Sequence, residues 1–178
     1  CAPDTFTFVV NISYDNAYNY ALCLDTSNVI DCNFTIDWGD ETPNEQISSV
    51  DDLLNHSMEF HSHYHPEVKH YFLCHQFKSN GKYTIKLKGK YDGFKLGYLN
   101  ESDFYSGEFY RACSAVQITE IKSFGPIGLG LNGNGSDAFS NYFNLKSISQ
   151  VDIPDASKLT SLSRACATDQ SIYEYCDD

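Results

Sequence analysis

Cys32-Asn33-Phe34-Thr35-Ile36-Asp37-Trp38-Gly39-Asp40 is the stretch that decides the fold class of this chain. Phe34, Ile36 and Trp38 fall on one side of an extended backbone and Asn33, Thr35 and Asp37 on the other, which is the two-residue period of a half-buried strand. Gly39 lets the chain turn at the strand end, and Asp40 offers a carboxylate to the amides of that turn. Trp38 is placed to anchor a core.

The same alternation recurs on both sides of this stretch. Phe6, Phe8, Val10 and Ile12 alternate with Thr5, Thr7, Val9 and Asn11, and Tyr83, Ile85 and Leu87 alternate with Lys82, Thr84, Lys86 and Lys88. Further amphipathic runs lie at 18 to 24 and roughly 94 to 99, with Gly, Asn, Asp and Pro between them. The expected class is mainly β. Residues from about 41 to 70 are polar, hold most of the histidines and show little alternation, so they are expected to form a long insertion with at most one helical turn.

Phe34-Thr35-Ile36-Asp37-Trp38-Gly39-Asp40, with His75-Gln76-Phe77 and Gly81-Lys82-Tyr83-Thr84-Ile85-Lys86-Leu87 downstream, resembles the PKD-type β-sandwich pattern. Two departures stand out: Glu41 occupies the place of the second glycine of WGDG, and the insertion between the motifs is long. The resemblance implies a PKD/Ig-like β-sandwich over 1–110 and a structural role for His75 at a strand start.

Beyond residue 110 the chain repeats. Arg111-Ala112-Cys113, Asp137-Ala138-Phe139 and Arg164-Ala165-Cys166 are about 26 and 27 residues apart. Each precedes a short apolar stretch in matching register, namely Ile118 to Ile121, Leu145 to Ile148 and Ile172 to Tyr175. With Leu159-Thr160-Ser161-Leu162, the run Ala138 to Ile148 resembles BspA-like leucine-rich repeats. That family implies a short leucine-rich-repeat-like β-solenoid segment over 111–178 and a surface protein with an adhesive or other binding role. Solenoid units bury their faces only by stacking, so so short a ladder leaves an end to be capped or docked.

Composition sets the partner classes. Among 178 residues there are 12 Lys and Arg against 24 Asp and Glu, and a net charge of -12 repels nucleic acid and anionic lipid alike. No apolar run approaches the roughly 20 residues of a membrane span. The seven cysteines, Cys1, Cys23, Cys32, Cys74, Cys113, Cys166 and Cys176, include no CxxC pair and are candidates for disulfides. Their odd count leaves Cys1 open to being a free thiol, an intermolecular link or a lipidated first residue. Five sequons, at Asn11, Asn33, Asn55, Asn100 and Asn134, are candidates for N-linked glycans, where composition alone gives about two.

The six histidines lie between 56 and 75, and the alternating His61, His63 and His65 are candidate metal ligands, against the plainer reading of a solvated loop. Asp37, Asp40, Glu41, Asp51 and Asp52 are either an acidic surface or a calcium site. No GxSxG, HExxH or P-loop occurs, and Gly128 to Gly135 reads as a turn without the Lys-Ser/Thr of a phosphate cradle. The expectation is therefore a mature, secreted or cell-surface glycoprotein, not an enzyme, with no cofactor. It would be a structural or adhesive subunit of a layer or filament that self-associates head to tail. The alternative is an adhesin or carbohydrate- or protein-binding module that meets a host or cell-surface ligand through the repeat face or the His-rich loop.

Overall fold

A computed structural model describes residues 3–13, 22–27, 29–61, 67, 69–94, 117–129 and 145–155. Nine strands and one short helix occur among them, in the order β1 (Thr5–Ile12), β2 (Leu22–Asp25), β3 (Asp31–Asp37), β4 (Glu45–Ile47), α1 (Val50–His56), β5 (Met58–His61), β6 (Lys69–His75), β7 (Gly81–Phe94), β8 (Ile118–Ser123) and β9 (Ile127–Leu129). The chain is mainly β.

Two sheets form. The larger has six strands in the order β4-β3-β7-β1-β8, with β9 also paired to β7, and the smaller runs β2-β6-β5. All pairings between these strands are antiparallel except β7 with β9. The 14-residue β7 is the spine. One of its edges carries β3 along Lys86 to Asp92, and β1 pairs with Gly81 to Lys88, leaving Tyr91 onward for β9.

The alternation expected for β1, β3 and β7 is present. Phe6, Phe8, Val10, Ile12, Phe34, Ile36, Ile85 and Leu87 are each at most 1% exposed, and Trp38 joins them. Leu22, Leu24 and Leu73 of the smaller sheet and Leu53 of α1 belong to the same apolar cluster, so both sheets and the helix share one core. At about 25 cal/mol per Å² of apolar surface, each such side chain contributes roughly 1.5–3 kcal/mol, and this term holds the sheets together.

The described residues 41–61 correct the expectation of a long loop, because they hold β4, α1 and β5. Ser49 caps α1 by accepting from the Asp52 amide, and the Asp52 carboxylate reaches back to the Ser48 amide and hydroxyl, a helix-start signal compressed into five residues. A seven-residue helix is too short to display an apolar period, and Leu53 is its buried residue. In β5, Met58 and Phe60 are half-buried while Glu59 and His61 are exposed, which is alternation over only four residues.

The larger sheet also takes in residues from both sides of the boundary expected at 110/111, since β8 pairs with β1 and β9 with β7. Two isolated parallel bridges follow, Glu120 to Ser147 and Gly128 to Asp155, each joining a residue to the one 27 positions later. The Ile121 amide donates to Ser147 O, the Lys146 amide to Thr119 O and the Asp155 amide to Ile127 O. The two apolar stretches in matching register, Ile118 to Ile121 and Leu145 to Ile148, are thus adjacent. Gly128 lies within β9 and is buried, packed against the Asp92 carboxylate, so it is not part of a free turn.

Candidate functional site

The turn after β3 is built by its own side chains. The Asp37 carboxylate accepts from the Gly39 amide, and Asp40 Oδ1 accepts from the amide and hydroxyl of Thr42. Gly39 has φ +74°, and a Cβ there would sit 2.3 Å from the carbonyl oxygen of Thr84 on β7. Glycine is required on both counts. Glu41, where a glycine was expected, also holds a positive φ of 66°, the one non-glycine to do so among the described residues.

A row of rings connects this turn to the smaller sheet. Trp38 stacks on His75 at 4.5 Å, His75 meets Phe77 edge-on at 4.8 Å, and Phe77 stacks on Tyr83 at 4.2 Å. The Trp38 indole N–H donates to Glu45 of β4 at 2.7 Å, so the buried ring keeps its polar partner. His75 Nε2 lies 2.8 Å from Asp40 Oδ2, with side chains 12% and 4% exposed. An ionised carboxylate can only accept, so this ring nitrogen carries the hydrogen. Burial pushes the Asp40 carboxyl up, but hydrogen bonds from Thr42 and His75 outweigh it and hold the group below its ordinary 3.8. His75 ends β6, where the PKD resemblance placed it at a strand start. Packed between two aromatic rings and a carboxylate, it serves to lock the two sheets at this end.

Of the proposed metal ligands, His61 lies on β5 with Nε2 2.9 Å from Glu59, while His63 and His65 lie outside the described residues. No cluster of three potential ligands occurs among the described residues. Three of the five carboxylates considered for calcium have other work: Asp37 and Asp40 hold the turn, and Asp52 holds the helix start and meets His56 at 3.3 Å.

Cys23 and Cys74 form a disulfide directly across β2 and β6, with Cα atoms 4.1 Å apart. Cys32 corrects the list of disulfide candidates, because it is a buried free thiol on the inner side of β3, opposite Tyr91, and burial pushes its pKa up to about 11. Cys1, Cys113, Cys166 and Cys176 lie outside the described residues, as do Asn100 and Asn134. Asn11, Asn33 and Asn55 are all exposed.

A second feature had no clear sequence signal. The Asp152 carboxylate accepts from the amides of Phe124 and Gly125 at 2.7 to 3.0 Å and from the Ser149 hydroxyl at 2.8 Å. Burial opposes ionisation there, and the two amides and the hydroxyl together hold its pKa below the usual value. Beside it the chain exposes a run of apolar side chains, with Ile148 at 50%, Val151 at 71% and Ile153 at 86%. Ser149 and Asp152, three apart, were the available clue to the first; the second could not be told from core by residue type.

No family model, curated protein or solved structure matches this chain. Among the described residues no helix is long and apolar enough to cross a membrane. The functional reading therefore rests on the geometry above.

Proposed function

We propose that this chain is a non-catalytic extracellular structural or adhesive glycoprotein, a subunit of a surface layer or filament whose copies meet head to tail. In this reading the two sheets form a PKD-like sandwich, and β8 and β9, which belong to its larger sheet, lead into a short BspA-like ladder. Two sheets sharing a core, the Trp38-Gly39-Asp40 turn locked by His75 and the 27-residue offset of both parallel bridges support it. A cross-strand disulfide fits an oxidising compartment.

The single observation that carries assembly is the exposed row Ile148, Val151 and Ile153 beside the last described bridges. Scattered apolar residues on a surface are ordinary, but three within six positions on one segment favour contact with another surface. The opposite edge of the large sheet is β4, which is unlike this segment in sequence and shape. Unlike surfaces that meet produce rings or open polymers.

The test is sedimentation of the secreted full chain over a range of concentrations, beside the double variant Val151→Asp, Ile153→Asp. Concentration-dependent assemblies that the variant abolishes are expected. A wild type that stays monomeric throughout overturns the proposal.

A further inference from the structure

The outer face of the six-stranded sheet carries two of the three described sequons, and the pairing register puts them at opposite ends of one strand. Asn11 of β1 pairs with Lys82 of β7, and Asn33 of β3 pairs with Lys90. Residues paired directly across strands project to the same side, and Lys82 and Lys90 share the outward parity of β7, so both asparagines stand on this face. Eight residues of strand separate their partners, about 26 Å at some 3.3 Å per residue.

Between them the face is polar. Lys86 and Lys88 project outward, with the threonines Thr7 and Thr35 as cross-strand neighbours. Three of the lysines on this face are answered locally, which disfavours a polyanion there: Lys86 by Asp37 at 3.9 Å, Lys88 by Asp4 at 3.3 Å, and Lys90 by Asp31 and Asp92. Such exposed pairs contribute little to stability. Among the described residues of β1, β3 and β7, no large apolar side chain is exposed on this face.

Local chemistry suits sugar at both ends. Asn11 and its sequon hydroxyl residue Ser13 are exposed. Gln46 Nε2 donates to Asn33 Oδ1 at 3.2 Å, which fixes the carboxamide by its oxygen and leaves the amide nitrogen, the atom a glycan substitutes, for solvent.

We propose that Asn11 and Asn33 both carry N-linked glycans and that together they cover the lysine-bearing face of the sheet, which assigns contacts between copies to the other surfaces. This rests on the secretory reading above.

The test is expression of the full chain through a eukaryotic secretory pathway behind a cleavable leader, with site occupancy read by peptide mass. Asn11→Gln, Ser13→Ala and Asn33→Gln should each remove one glycan. Acylation of Lys86 and Lys88 should be at least about threefold slower in the wild type than in the Asn11→Gln, Asn33→Gln variant, because a branched sugar blocks approach. Equal acylation rates overturn the shielding. If either Asn11 or Asn33 is bare while Asn55, Asn100 or Asn134 carries sugar, this inference fails and the secretory reading stands. If every sequon is bare, both fail.

Discussion

His75 Nε2 lies 2.8 Å from Asp40 Oδ2, and that contact ties the last residue of β6, in the three-stranded sheet, to the turn that closes β3 in the six-stranded one. Trp38 lies flat against the same imidazole, so a hydrogen bond to a carboxylate and a stacking contact converge on one ring. Loss of either partner leaves a polar group stranded in a largely dry pocket.

Acid should therefore loosen this end. The folded-state pKa of Asp40 is held below 3.8, so its contribution is present above the unfolded value and is lost as pH falls through the folded one. Asp152 behaves in the same direction. Urea unfolding at a series of pH values should show stability falling below about pH 4, and Asp40→Asn should flatten that fall while costing about 1–3 kcal/mol near neutrality.

The turn contains one strained residue and one irreplaceable one. Glu41→Gly should stabilise the protein by about 0.5–1 kcal/mol, because glycine escapes the left-handed Cβ penalty of roughly 1–2 kcal/mol and gives part of it back in extra unfolded-chain entropy. Gly39→Ala should be strongly destabilising, since its Cβ would meet the Thr84 carbonyl on a strand that cannot move aside. Thermal or urea midpoints of the two variants, moving in opposite directions, are the check.

Reducing the Cys23–Cys74 bond should cost roughly 4 kcal/mol by the chain-entropy relation for a loop of this size, as the bridge spans a sequence separation of 51. Unfolding curves of Cys23→Ala, Cys74→Ala against the oxidised parent measure it. Under native conditions Cys32 should resist thiol reagents and react only on unfolding, since burial pushes its pKa up to about 11 and little thiolate exists at neutral pH.

Asp152→Ala should cost about 1–3 kcal/mol by leaving the Phe124 and Gly125 amides without their acceptor. Amide exchange at those two positions should rise in this variant, along with exchange at Asp155, whose amide donates to Ile127. Unchanged exchange at Phe124 and Gly125 would count against this account of the turn.

How much of this could be read from residues alone depended on the range of the signal. The half-buried β1, β3 and β7 show their period within a few positions, and Phe6, Phe34 and Ile85 fall inward as their alternation requires. Strand β6 was not legible in the sequence, because Lys69-His70-Tyr71 is polar or amphipathic while Phe72-Leu73 is apolar on both faces. The pairing of Cys23 with Cys74, and of β8 with β1, leaves no local trace, since both join positions far apart in the chain. At the turn the motif placed Asp40 correctly, but the partner role of His75 emerged only once both sheets were in place. The 27-residue spacing is the exception among long-range features, for it is visible in the sequence and the bridges Glu120 to Ser147 and Gly128 to Asp155 each join residues 27 positions apart.

The arrival of β8 alongside β1 has a consequence for how this chain is handled and divided. β1 is eight residues long, rich in Phe, Val and Ile, and its second edge is closed by a strand that lies more than a hundred positions later in the sequence. A fragment ending near residue 110, the obvious place to cut, would present that edge bare. Long, flat, apolar edges recruit the nearest strand they meet, so the fragment should pair with its own copies and precipitate, and a nascent chain faces the same hazard until residue 123 has been made.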